Sequence, residues 1–332
     1  MQITKLGQTG IATSVLGFGC SALLGRSGRS ESLAALGAAW DSGINLFDTA
    51  RSYGYGESEA LLGEFLRGRR DKAVISTKFG ILAAPQALWK RVAKPIARKL
   101  LSIAPSTRGM IRKGVAAQFS ANQFTVAVLE QSIHESLRKL GTDYVDLLFM
   151  HAAPVDVLDN EQLLTALDRL VRSGKVRAAG ISADPDVIAE TLRRKPPVLR
   201  ALQFPCNVFD LSVAGLLDEA RQFAAIANHP FGGAARVQTG REILWRVAGS
   251  ERTPPVLREK LREVDDGVLA DVVLNVILRG TGIDAVVPAM MKIPHLQKNV
   301  AAVTASRFTT DEIAMLRDAL SQEVVATAAP AH

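Results

Sequence analysis

Eight short apolar runs of strand length recur along the chain: VLGFG (15–19), INLF (44–47), AVIST (73–77), VDLLFM (145–150), VRAAGI (176–181), ALQF (201–204), FAAIA (223–227) and IDAVV (283–287). Between them lie segments such as SESLAALGAAWDSG (30–43), SEALLGEFLRG (58–68), TVAVLEQSIHESLRKLG (125–141) and EQLLTALDRLVRSG (161–174). Their apolar residues fall at three- and four-residue spacing, with a glycine near the end of each, so they predict amphipathic helices with glycine C-caps. Strand, connection and helix in repeated alternation predict a parallel sheet, because parallel neighbours need crossover connections. Eight repeats favour closure into a (β/α)8 TIM barrel, with a doubly wound open sheet as the alternative. The first strand-to-helix turn, GFGCSALLGRSG, contains GxG but lacks a third glycine in register, and no acidic ribose ligand follows a plausible second strand. A dinucleotide fingerprint of the open-sheet type is therefore weak here.

Ahead of the first run, ITKLGQTGIATS predicts a hairpin turning around Gly7 to Gly10 and covering the barrel floor. Two stretches, 81–122 and 234–266, exceed ordinary connections and are expected as long loops after strands three and seven, on the face that carries a barrel's active site. A single barrel domain is expected over 1–325, with 81–122 as an insertion and 326–332 as a disordered tail.

Composition narrows the class. The chain has 332 residues, 48% hydrophobic and 22% charged, which suits an undivided barrel. The start lacks a signal-type apolar core and no run approaches eighteen uncharged apolar residues, so a soluble cytoplasmic protein is expected. Cys20 and Cys206 are the only cysteines and have no ligand spacing, which argues against a disulfide scaffold and against a metal site. The net charge is +7, yet ten lysines and arginines fall between Asp71 and Glu130 with no acid among them, so the rest of the chain is net negative. A general nucleic-acid binder is excluded; only that segment is basic.

In a barrel, residues at the carboxyl ends of the strands share one mouth and read as catalytic. Those positions hold Asp48 and Tyr53 after strand two, Lys78 after strand three, His151 after strand four, Ser182 after strand five, Gln203 near the end of strand six, and His229 after strand seven. Singly, each has a structural reading: a turn acid, a packed turn tyrosine, a solvated lysine, a hydrogen-bonded histidine. Together, consecutive strands offer an acid, a phenol, an amine and an imidazole. An ammonium beside Tyr53 would lower the phenol from about 10 and ready its proton, while His151 could hold a substrate oxygen by a hydrogen bond.

FDTARSYGYGESEALLGE (47–64), ISTKFG (75–80), DYVDLLFMH (143–151), GIS (180–182) and VVPAMMKIPHLQKNV (286–300) together resemble the aldo-keto reductase superfamily over nearly the whole chain. The resemblance implies a barrel that binds an extended nicotinamide dinucleotide, usually NADPH, and interconverts a carbonyl (aldehyde, ketone or sugar lactol) with an alcohol. It implies Tyr53 as proton donor, Asp48 and Lys78 as the groups that tune it, and His151 as the residue that orients the carbonyl. For the cofactor it implies Ser182, Gln203, His229, Phe231, Gly233 and Asn299. Several positions depart from the family pattern: Ala183 stands where asparagine is usual and Cys206 where an aromatic ring stacks. His229-Pro230-Phe231 replaces Ser-Pro-Leu. Ala289, Met290 and His295 fill the positions that grip a 2′-phosphate, with Lys292 left as a point charge. A weaker preference for NADP(H), with NAD(H) also used, is the expectation. A cofactor-binding regulatory or interaction subunit with little turnover, as in potassium-channel β subunits, is the rival.

Within the basic insertion, ALWKRVAKPIARKLLSI (87–103) carries Leu88, Val92, Ile96 and Leu100 on one stripe and five cations off it. It reads as an amphipathic helix, serving as a lid on the barrel, as a peripheral membrane-surface contact, or as an attractor of an anionic substrate.

Overall fold

The computed structural model describes residues 1–25, 27–81, 123–217 and 222–328. The hairpin comes first: β1 (Ile3–Lys5) pairs antiparallel with β2 (Ala12–Ser14) in the register Ile3↔Ser14. Its turn drives Leu6 and Ile11 into the molecule with no solvent exposure. Both pack against Leu46, Val74, Leu147, Ala178, Ala201, Ala224 and Ala285, so the hairpin plugs one end of the barrel as the sequence predicts.

Eight parallel strands follow in spatial order of the chain: β3 (Phe18–Gly19), β4 (Leu46–Asp48), β5 (Val74–Phe79), β6 (Val145–His151), β7 (Val176–Ser182), β8 (Leu199–Pro205), β9 (Ala224–Asn228) and β10 (Ala285–Val287). Residues just before β3 close the ring onto β10. Gly17 donates to the Val286 carbonyl at 2.8 Å, Val286 donates to that of Val15 at 2.9 Å, and Gly19 donates to that of Pro288 at 3.0 Å. The expected (β/α)8 barrel is thus the architecture, and the open doubly wound sheet is not.

The ring of helices comprises α1 (Arg29–Asp41), α2 (Ser58–Phe65), α3 (Val126–Leu140), α4 (Glu161–Arg172), α5 (Pro185–Arg194), α6 (Ala234–Gly249), α7 (Pro255–Lys260), α8 (Asp266–Gly280), α9 (Ile293–Thr304) and α10 (Thr310–Ala328). Capping follows the local sequence. Thr125 accepts from the Val128 N–H at the start of α3, and Gly141 ends it in the left-handed conformation at φ 64°. The stretch 234–266 departs from expectation, because it is mostly helix rather than loop. Ile243, Leu244 and Val247 of α6 and Leu257 of α7 are buried, giving these segments an apolar side to pack. The last helix runs to Ala328. No helix among the described residues is long and apolar enough to cross a membrane. The amphipathic reading of 87–103 falls outside the described residues.

Strand alternation then sorts every barrel residue. Outward side chains such as Phe47, Ile75, Leu148, Met150, Ala179 and Leu202 join the layer between sheet and helices. Inward side chains form an apolar lower layer around the hairpin plug. Gly180 keeps its inward place free. A Cβ there would lie 2.3 Å from the Ala201 carbonyl oxygen and 2.7 Å from the Phe149 ring, which occupies that space instead.

Candidate active site

Continuing each inward row by two residues toward the carboxyl end changes its chemistry. Leu46 leads to Asp48, Val74 to Ser76 and Lys78, Phe149 to His151, Gly180 to Ser182, and Ala201 to Gln203. The period of two therefore aims these polar groups into the same mouth, directly above an apolar floor.

Lys78 is 2% exposed. Its ammonium donates to Asp48 Oδ1 at 2.8 Å and Oδ2 at 2.7 Å, and to the Thr49 carbonyl at 2.9 Å. All three ammonium hydrogens thus have oxygen acceptors. Asp48 Oδ1 also accepts from Ser76 Oγ at 2.6 Å and from Gln203 Nε2 at 2.9 Å. Burial favours the neutral amine, but the Asp48 carboxylate outweighs it and holds Lys78 above its ordinary range. A buried pair of this kind is tolerable only because further hydrogen bonds satisfy it.

Tyr53 reaches the same place from a loop whose geometry is imposed. Tyr53 N–H donates to the Ala50 carbonyl at 3.1 Å. Gly54 and Tyr55 then both take left-handed conformations, at φ 58° and 57°. The loop is braced by α3: Arg51 donates to Ser132 Oγ at 2.9 Å and pairs with Glu135, and Lys139 donates to the Gly56 carbonyl at 2.7 Å. The loop is not free-standing: Arg51 is buried and pins it to α3.

The Lys78 nitrogen lies 4.9 Å from the centroid of the Tyr53 ring, and the His151 ring stands edge-on to that ring at 5.8 Å. Burial raises the phenol pKa, the Lys78 charge lowers it, and the Asp48 charge raises it again; the balance is upward. The expected lowering by the ammonium is present, but desolvation exceeds it. Tyr53 accordingly holds its proton at neutral pH. Burial, and then the Lys78 ammonium, push His151 down to about 3, against the pull of Asp48. A neutral imidazole donates from one nitrogen and accepts at the other.

This sets a pH dependence. An unfolded histidine titrates near 6.5, so between there and about 3 the unfolded chain binds a proton that folded His151 refuses. Its contribution to stability is fully present above the unfolded value and lost as pH falls toward the folded one. Denaturant titrations at several pH values should show a shallower fall in stability over that window for His151→Gln than for the native chain. Parallel curves would contradict the assignment.

The remaining sequence-predicted residues divide. Ser182 Oγ donates to Gln203 Oε1 at 2.8 Å, so these two bond to each other and, through Gln203, to Asp48. Phe231, Gly233 and Asn299 line a cavity of about 250 Å³ between α6, α8 and α9, together with Asp266, Ala289, His295 and Lys298. His229 is exposed, at φ 51°, and does not line it; Lys292 is exposed and does not line it either. Reading the sequence missed Ser76, the Arg51 brace, Asp266 and Lys298. Only Ser76 had a local signal, its place two residues before Lys78 on the same face.

A dinucleotide fits the observed site in three respects. The cavity lies at the strand ends, the space beside Gly233 at the start of α6 is open, and Oδ1 of Asn228 at the end of β9 is buried without a partner. Glycine-rich helix starts admit phosphate oxygens closely.

A family model described as the aldo/keto reductase family matches residues 15–321. An uncharacterized oxidoreductase of Bacillus subtilis is 25% identical over 342 residues, covering 98% of both chains. L-galactose dehydrogenase of Arabidopsis thaliana is 26% identical, covering 92% of this chain and 88% of its own. Among solved structures, the holo form of an aldo-keto reductase from Bacillus halodurans superimposes with a TM-score of 0.66 at 21% identity, over 100% of this chain and 97% of that one. That likeness speaks for the fold.

Proposed function

The chain belongs to the aldo/keto reductase family, and from that premise we propose that it is a nicotinamide-dependent oxidoreductase that interconverts a small-molecule carbonyl and its alcohol. The observation that carries the reading is the buried Asp48–Lys78 pair at 2.7 Å beneath a protonated Tyr53 and a neutral His151. The bound nicotinamide, from NADP(H) or NAD(H), supplies the hydride. Phe231, Gly233 and Asn299, which line the cavity, would hold its adenosine and phosphate portion. Ser182 and Gln203 would hold the amide of the nicotinamide, Gln203 with the amide hydrogen that Asp48 does not take.

Tyr53 gives its proton to the carbonyl oxygen as negative charge develops there. Lys78 stabilises the phenolate that remains, and Asp48 keeps Lys78 charged and in place. His151 donates a hydrogen bond to the same oxygen from its neutral ring, which fixes the carbonyl against the phenol. In the reverse direction the phenolate takes the alcohol proton. The apolar residues beneath the mouth keep water from reaching the pair from below.

The test is oxidation of NADH and NADPH with a panel of aldehydes and ketones, and reduction of the oxidised cofactors with aldoses. The aldoses belong in the panel because a relative is an L-galactose dehydrogenase. Turnover with at least one carbonyl or lactol is expected. Binding of cofactor without turnover on any of them would favour the regulatory-subunit reading instead.

A further inference from the structure

We propose that Asp266 sets the choice between the two dinucleotides, disfavouring a ribose 2′-phosphate and favouring a free 2′-hydroxyl; this rests on the nicotinamide-dependent reading above. Three elements meet at the cavity wall. Asp266 opens α8, Arg241 comes from α6, and Lys298 comes from α9. Arg241 Nη2 pairs with Asp266 Oδ1, and Lys298 Nζ donates to Asp266 Oδ2 at 3.0 Å. Asp266 and Lys298 both line the cavity, alongside His295 and Asn299.

The carboxylate is not there to cap its helix. Asp265 does that, accepting from the Val268 N–H at 2.8 Å. Asp266, one residue on, is free to turn to the two cations, and they hold its carboxyl below the usual range, Lys298 foremost. Among the described residues neither Arg241 nor Lys298 has another acidic partner. One side chain thus takes up two cations, at and beside the cavity, that could grip a phosphate dianion, and it adds a negative charge of its own.

The consequence differs for the two ligands. A 2′-phosphate entering here meets a carboxylate first and must break two ion pairs to reach either cation. A 2′-hydroxyl instead has a proton to give, and each Asp266 oxygen keeps an unused lone pair after its one ion-pair contact. Lys298 therefore acts through Asp266, as a neutralising partner rather than a phosphate ligand.

The experiment is calorimetric titration of NADH and NADPH into the native chain, Asp266→Asn and Lys298→Met, with folding checked by circular dichroism. The native chain should bind NADH at least about tenfold more tightly than NADPH. Asp266→Asn, which frees both cations and removes the charge, should improve NADPH binding at least about tenfold while weakening NADH. Lys298→Met, which leaves the carboxylate less neutralised, should move the ratio the other way and provides a second readout if the first variant is unstable. A native preference for NADPH, an unchanged ratio in Asp266→Asn, or a shift in the same direction in both variants would overturn the proposal. If the native chain binds neither dinucleotide, it is the nicotinamide-dependent reading itself that fails.

Discussion

Replacing Tyr53 with phenylalanine is expected to lower kcat by roughly 10²–10⁴-fold, the worth of a positioned proton donor, with little change in cofactor affinity. The size follows from the lack of a substitute. Lys78 is bonded to Asp48 and Thr49 oxygens, and the Asp48 carboxylate holds it above its ordinary range, which makes it a poor acid. Asp48 faces donors from Ser76, Lys78 and Gln203 and is already engaged as their acceptor. His151 is neutral down to about pH 3 and is a hydrogen-bond donor rather than an acid of useful strength. Without the phenol, only water can protonate the developing alkoxide. Steady-state rates, measured beside a cofactor titration, decide the matter. Equal turnover in the two proteins would remove Tyr53 from the chemistry.

The second large effect concerns stability as well as rate. Lys78→Met should destabilise the fold by about 3–5 kcal/mol, because it leaves the Asp48 carboxylate buried and unpaired. Both partners are nearly inaccessible, at 1% and 6% side-chain exposure, so solvent offers little relief. Pairing that change with Asp48→Leu removes the stranded charge and should recover much of the stability. It should recover none of the activity, since the phenolate then has no cation beside it. Chemical denaturation of the two single variants and the double variant measures the first effect, and turnover the second. If Lys78→Met alone is as stable as the native chain, the ammonium is not the buried, paired group the structure indicates. If the double variant regains activity, the pair acts only as scaffolding.

Much of this site was legible in the chain. Asp48, Tyr53, Lys78 and His151 were visible because a barrel collects its strand ends, and the strand ends were visible as points where apolar runs stop. The alternation of Leu46 with Asp48 or of Val74 with Ser76 and Lys78 is itself a sequence pattern. Other parts had no local signal. Arg51 could have been any loop arginine; that it is buried and holds the Tyr53 loop to α3 depends on Ser132 and Glu135, far along the chain. Ser182 and Gln203 could be assigned to the mouth, but their bond to each other and on to Asp48 required three strands in register. The helices within 234–266 were missed because their apolar faces are short and broken by Gly240, Gly249 and paired prolines.

By itself the sequence determined the number of strands, their parallel order, the hairpin plug and which residue types stand at the mouth, since periodicity and turn chemistry are properties of neighbours along the chain. The tertiary structure decided which charges are buried, and hence that Tyr53 keeps its proton and His151 stays neutral, since desolvation is set by what packs around a group. It also decided that Asp266, Arg241 and Lys298 form one unit at the cavity wall. Residues drawn from three helices have no shared pattern in sequence; only the closure of the barrel brings their charges within bonding distance.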